Sequence, residues 1–238
     1  MVTIDFDLMG LKSGDQVLDI GCGEGRHSWE VCRLRDCSVY AVDIEPSSLE
    51  KAKWVLVFMD QQRESNGRWH VMRGDAMSLS FKDASFDKII CSETLEHIPD
   101  DQRGISELVR VLKDDGVLAV SVPAYLTEAI CWKLSKGYHN QPGGHVRKYR
   151  AKELAASLRQ NNLTIYAVRH KHGLHSFYWM LRCIFGINNK KSLIPSLYHK
   201  FLVWDMKTRT GPIHLLDSLF NRFLSKSVVI YMRKGQEL

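Results

Sequence analysis

VLDIGCGEGRH, residues 17–27, is the most informative stretch of this chain. A short apolar run ends in an acid, Asp19, and Gly21, Gly23 and Gly25 then lead into a helical pattern. Glycine is needed where the backbone turns sharply or where a ligand must lie against the main chain. The helix beyond presents free N–H groups and the positive end of its dipole to a carboxylate or phosphate. Taken alone, the loop leaves two readings open: a tight strand-to-helix turn, or the G-x-G entrance of a dinucleotide site.

On its C-terminal side, strand and helix signals alternate. Gln16–Ile20 is the first strand, Ser28–Arg35 reads as a helix and Ser38–Val42 as a second strand. Pro46–Asp60 reads as a helix with Pro46 in its first turn, where a missing N–H costs little. Trp69–Arg73 and Phe86–Cys91 are the next strands. Gln102–Leu112 has apolar residues at 105, 108, 109 and 112, a helical spacing. Leu112–Gly116 reads as a hairpin-like turn into a fifth strand, Gly116–Val122. Such alternation predicts a parallel sheet covered on both faces. Further on, Thr127–Lys136 and Lys152–Gln160 read as helices, Asn140–Gly144 as a loop, and Leu163–Arg169 and Ser227–Met232 as strands. Between those last strands, residues 170–226 read as two or three helices broken near Gly186, Pro195 and Gly211–Pro212.

Composition narrows the class. With 238 residues, 45% hydrophobic and 25% charged, the chain can bury a core and is not disordered. No run of about 18 uncharged apolar residues exists to span a membrane. The first ten residues lack the basic start and apolar stretch expected of a secretory signal. The six cysteines form no C-x-x-C pair or zinc-like cluster, so free thiols, a cytoplasmic setting and no metal are expected. Charge is divided unevenly. Residues 1–124 carry 14 basic against 22 acidic side chains, and residues 125–238 carry 19 against 5. So basic a second half suits an anionic partner.

Three acidic turns follow later strands: Val42-Asp43-Ile44-Glu45-Pro46, Gly74-Asp75-Ala76, and SETLEHIPD at 92–100. An acid at the end of the second strand can accept from both ribose hydroxyls, a need shared by several nucleotide cofactors. The order VLDIGCGEG, VDIEP, GDAMSLSF, FDKIICSETLEHIPD, LVRVLKDDGVLAVSVP resembles the class I S-adenosylmethionine-dependent methyltransferases, most nearly the ubiquinone- and menaquinone-type small-molecule enzymes. The resemblance covers roughly residues 11–123 and 148–170. It implies a Rossmann-like α/β fold, a seven-stranded mostly parallel sheet with helices on both faces, and here a helical insert before the last strand. It also implies that Gly21 and Gly23 pass under the methionine part of S-adenosyl-L-methionine, with Asp19 at its amino end. Asp43 would bind the ribose, Ile44 pack on the adenine, Asp75 meet the adenine amino group, Ala76 supply a backbone contact, and Ser92 lie near the cofactor's amino group. His97, in the E-H-x-x-D turn, either anchors that turn or takes part in chemistry.

Methyl transfer from a sulfonium requires alignment above all, and a base only when the acceptor must lose a proton. The base candidates lie after the fifth strand, where Tyr138 and His139 precede GGHVRKYR (143–150). His145 can accept a proton, Arg147 can hold an anion by two bonds, and Tyr149 can hydrogen-bond an acceptor; the same residues can equally fix the loop. The reading divides the chain into a main domain (1–169 and 227–238) containing an active-site loop (124–150), and a helical lid (170–226). With only some 15 residues ahead of the first strand, the loop and lid are expected to roof the pocket. The lid segments hold nine of the 23 aromatic residues, and basic residues stand at 169, 171, 182, 190, 191, 200, 207 and 209. Ile213, Leu216, Phe220, Phe223 and Leu224 are expected to line one face of its last helix. Either this is a cap packed on the fold, or it also rests on an anionic membrane, placing the protein at the inner membrane face. The expected acceptor is small and apolar or amphipathic: quinone-like, lipid or polyketide-like. The alternatives are an RNA methyltransferase using the basic half and a non-catalytic cofactor-binding subunit. The missing [DN]-P-P-[YF] turn speaks against the first, and the intact glycine loop against the second.

Overall fold

Seven strands form one sheet in the order β3-β2-β1-β4-β5-β7-β6. The computed structural model describes residues 2–139, 144–187, 189, 192–208 and 211–235. In chain order the elements are α1 (Phe6–Met9), β1 (Gln16–Ile20), α2 (Arg26–Leu34), β2 (Ser38–Asp43), α3 (Pro46–Gln62), β3 (Arg68–Arg73) and β4 (Phe86–Ser92). A 3-10 turn (Leu95–His97), α4 (Asp101–Val111), β5 (Leu112–Pro123), α5 (Tyr125–Leu134) and α6 (Lys136–His139) follow. The chain continues through α7 (Ala151–Arg159), β6 (Leu163–Lys171), α8 (Gly173–Phe185), α9 (Leu193–Thr208), α10 (Gly211–Leu224) and β7 (Ser227–Lys234). The pairs β1–β2, β1–β4, β2–β3 and β4–β5 are parallel, as the alternation predicts.

The chain divides into two compact units. One comprises 1–122, 152–168 and 229–238; the other comprises 123–151 and 169–228. The segment 124–150, assigned from sequence to the main domain, falls in the second unit with the three helices of the insert.

The core of the first unit follows from strands that are apolar on both sides. Val17, Leu18, Val39, Ala41, Ile89, Ile90, Leu118 and Val120 are all fully buried. Helix starts obey local chemistry: Glu45 caps α3 ahead of Pro46, and Asp100 caps α4 through the Arg103 N–H. The fifth strand begins earlier than expected, at Leu112. Phe86 pairs with Leu112 and Lys88 with Val117, so four residues bulge opposite Asp87. Lys113 closes this bulge with a 2.8 Å ion pair to Asp87. Short helix α1, not expected from sequence, joins the two ends of the chain: the Asp5 N–H donates to Tyr231 Oη at 2.8 Å.

His27 ties the N-terminal segment down. Its Nε2 accepts from the Thr3 N–H at 3.1 Å, so that nitrogen carries no proton, and burial pushes the pKa down to about 4. An unfolded histidine protonates near 6.5. Between pH 6.5 and 4 the unfolded chain therefore binds more protons, and the stability present above 6.5 is lost as pH falls. Buried Asp19, pushed up to about 7, works in the opposite direction. The test is therefore a difference: wild-type minus His27→Gln stability, from urea titrations. It should grow by about 3 kcal/mol from pH 4 to 7. A flat difference would show that His27 carries no proton linkage.

In the second unit, α8 packs against α5, α9 and α10. Pro195 lies inside the first turn of α9, where its missing N–H is harmless, rather than at a break. Helix α10 caps α8: Asp217 accepts from the Leu174 N–H at 2.9 Å and Asn221 from the Gly173 N–H at 2.7 Å. Phe220 packs edge-on against Phe177 and touches Gly173, where no side chain would fit. The single face expected on α10 is thus split, because Phe220 turns inward while Leu216 and Phe223 are exposed. Residues 140–143, in the expected loop, and Lys190, Lys191 and Arg209 lie outside the described residues.

Candidate active site

The strand order reverses between β1 and β4, the switch point at which open α/β sheets bind ligands beyond their strand ends. Parallel register brings those ends level: Ile20 pairs with Val42 and Cys91, Val42 with Met72, and Ser92 with Ser121. Of the expected residues, Asp43 and Ser92 are the last residues of β2 and β4, and Gly21 and Asp75 lie in the turns just beyond β1 and β3.

Gly21 and Gly23 adopt φ of +65° and +53°. At Gly21 a Cβ would run into the Thr94 side chain, whereas at Gly23 it would meet no atom within 4 Å. Gly23 is held by Asp43, whose Oδ2 accepts its N–H at 2.7 Å, while Oδ1 accepts the Glu45 N–H at 2.9 Å. The glycine loop and the β2 acid therefore form one bonded unit. Ile44 beside it is 60% exposed, an unusual position for a large apolar side chain.

Asp19 is buried. Its Oδ2 accepts from the Ser28 N–H at 3.0 Å and Ser28 Oγ at 2.6 Å, and its Oδ1 has no hydrogen-bond partner among the described residues. Burial pushes the pKa up to about 7, against the pull of the two Ser28 bonds. A half-satisfied buried carboxyl at a glycine loop suits a cationic ligand group, and S-adenosylmethionine carries an ammonium and a sulfonium. The residues present fit that cofactor.

Asp75 Oδ1 accepts the Met77 N–H at 2.8 Å, shaping the turn that contains half-buried Ala76. Arg110 steadies the stretch beyond it through the carbonyls of Leu79 and Phe81 and the carboxylates of Asp83 and Glu107. Ser92 Oγ lies 2.8 Å from Ser121 Oγ, and Glu93 follows in the left-handed region. His97 is exposed on the 3-10 turn.

The second unit contains a polar cluster that joins the expected Tyr138 and His145 to an acid the sequence reading missed. Glu128, buried on α5, accepts from Trp132 Nε1 at 2.5 Å and Tyr138 Oη at 3.0 Å, and meets His145 Nδ1 at 2.6 Å. Burial alone would raise the Glu128 pKa. The His145 bond and charge, the Lys226 charge and the Trp132 bond outweigh it and hold the carboxyl below its usual range. An ionised Glu128 can only accept, so His145 Nδ1 is the donor of this bond. Arg147 donates to Tyr149 Oη at 3.4 Å, and Lys148 Nζ sits 4.2 Å above the Trp132 ring. The available signal was a single acid on a largely apolar helix, YLTEAICWKL.

A family model described as a methyltransferase domain matches residues 11–181. The sterol 24-C-methyltransferase of Aspergillus fumigatus is 31% identical over 142 residues, 58% of this chain and 33% of that protein. The 27-O-demethylrifamycin SV methyltransferase of Amycolatopsis mediterranei is 33% identical over 113 residues, 48% of this chain and 40% of that protein. The match thus spans well under half the length of these curated relatives. A solved SAM-dependent methyltransferase from Methanosarcina mazei superposes with a TM-score of 0.63 over 100% of both chains at 19% identity, which shows the fold. Motif order, sheet order and family match agree, and the chain belongs to the S-adenosylmethionine-dependent methyltransferase-domain family.

Proposed function

We propose that this chain transfers the methyl group of S-adenosyl-L-methionine to a small, largely apolar acceptor and releases S-adenosyl-L-homocysteine. The observation that carries the reading is the acid pair on the glycine loop, with Asp43 bonded to Gly23 and Asp19 buried with one oxygen unmet. Asp43 is assigned the ribose hydroxyls, and Ile44, Asp75 and Ala76 the adenine. Asp19, Gly21, Gly23 and Ser92 are assigned the methionine end. Bound cofactor would supply a methyl group activated by its sulfonium. The chain's own work is alignment and, for an acceptor with a proton to lose, its removal by the imidazole of His145. Arg147 and Tyr149 are assigned to a polar end of the acceptor, His97 to the turn it anchors, and the helices 170–226 to the acceptor's apolar body. The names of the relatives, a sterol and a rifamycin methyltransferase, support an apolar acceptor.

The test is incubation with methyl-labelled S-adenosylmethionine and three acceptor pools: sterols and quinone precursors, polyketide aglycones, and bulk tRNA. Label should move into the organic phase from one of the first two pools. Label on tRNA alone would replace this acceptor class with RNA. No transfer to any pool, with cofactor binding intact, would leave a binding subunit.

A further inference from the structure

Helix α10 is apolar on two sides. Phe220, Asp217 and Asn221 serve the side that meets α8. At 3.6 residues per turn, Leu215, Leu216, Leu219 and Phe223 gather on the other side, within about a third of the circumference. They are between 49% and 73% exposed. A helix that needed only to pack on α8 would carry polar residues there. Large exposed apolar side chains grouped in this way mark an interaction surface.

The charges on this outer arc indicate what it meets. Arg222 is exposed within the same arc, and no acid lies in it. Helix α9, which also packs on α8, repeats the composition. Leu193, Leu197 and Trp204 are exposed along one arc with Lys200 and Lys207, while Pro195 and Leu202 are buried opposite. The two acids of α9 and α10, Asp205 and Asp217, are half-buried, and Asp217 is engaged in capping α8.

We infer that the outer arc of α10 docks on an anionic lipid bilayer. Acidic headgroups complement the cations that flank the apolar side chains, and long basic side chains can lie along an apolar surface with their charge at headgroup level. Two copies of this arc brought face to face would place like charges in one interface, which disfavours self-association as the occupant. The docking does not depend on the methyl-transfer reading.

Vesicle co-sedimentation of the full chain tests it, with phosphatidylcholine vesicles containing about one third phosphatidylserine, across about 0.05–0.5 M salt. Binding should weaken with salt yet persist in part at the highest concentration, because apolar insertion is not screened. Leu219→Glu with Phe223→Glu should lower vesicle affinity by about tenfold or more. Both side chains point away from the fold, so circular dichroism should be unchanged. If it changes, Leu215→Glu on the same arc takes their place. Wild-type protein that stays in the supernatant at low salt overturns the inference. So does a variant that binds like wild type, or a wild-type dimer that ignores vesicles and dissociates in the variant.

Discussion

Asp43→Ala should bind S-adenosylhomocysteine at least tenfold, and up to about a hundredfold, more weakly than wild type. A lost hydrogen bond to a charged acceptor is worth about 1.5–3 kcal/mol. The geometry adds a second loss, because the same carboxylate holds the Gly23 N–H at 2.7 Å and the Glu45 N–H at 2.9 Å. Without it the glycine loop loses its tie to β2 as well as the ribose acceptor. Asp43→Asn should be impaired too, because an amide has one acceptor atom and here two backbone N–H groups need one each. Calorimetric titration measures both variants, and wild-type affinity in Asp43→Ala would remove Asp43 from the cofactor site.

The second large effect is expected at the Glu128–His145 pair. His145→Ala should lower kcat by about 10²–10⁴ with an acceptor that must lose a proton, with little change in cofactor affinity. Glu128→Gln should lower kcat by a smaller factor, about tenfold, since the amide oxygen can still accept one bond but no longer supports the charge of a protonated imidazole. Glu128 also holds Trp132 and Tyr138, so the thermal midpoint of each variant must be measured alongside. Separate KM and kcat values distinguish the roles. A raised acceptor KM with normal kcat assigns His145 to binding, and wild-type kinetics in His145→Ala make it only a loop anchor.

The first half of the chain was legible because its signals are local. The buried parallel strands β1, β2 and β4 read as apolar runs, and each ends at a residue that shows in sequence: Gly21, Asp43 or Ser92. What was missed depends on distant contacts. Leu112 looks like part of a turn until Phe86 pairs with it across the bulge. Helical periodicity shows that α10 is amphipathic, but only the close approach of Phe220 to Gly173 settles which apolar arc packs. Glu128 does not stand out in the sequence, because its partners lie 4, 10 and 17 residues further along the chain.

Strand β7 sits between β5 and β6, yet the chain reaches it only after α8, α9 and α10. Ribosomes add about 5–20 residues per second. For several seconds after β6 leaves the exit tunnel, the facing edges of β5 and β6 therefore have no strand between them. Those edges are templates for pairing with another nascent chain. The interval in which this protein most needs a chaperone is set by the length of its own insert, and lengthening that insert should lower soluble yield even where the finished fold tolerates it.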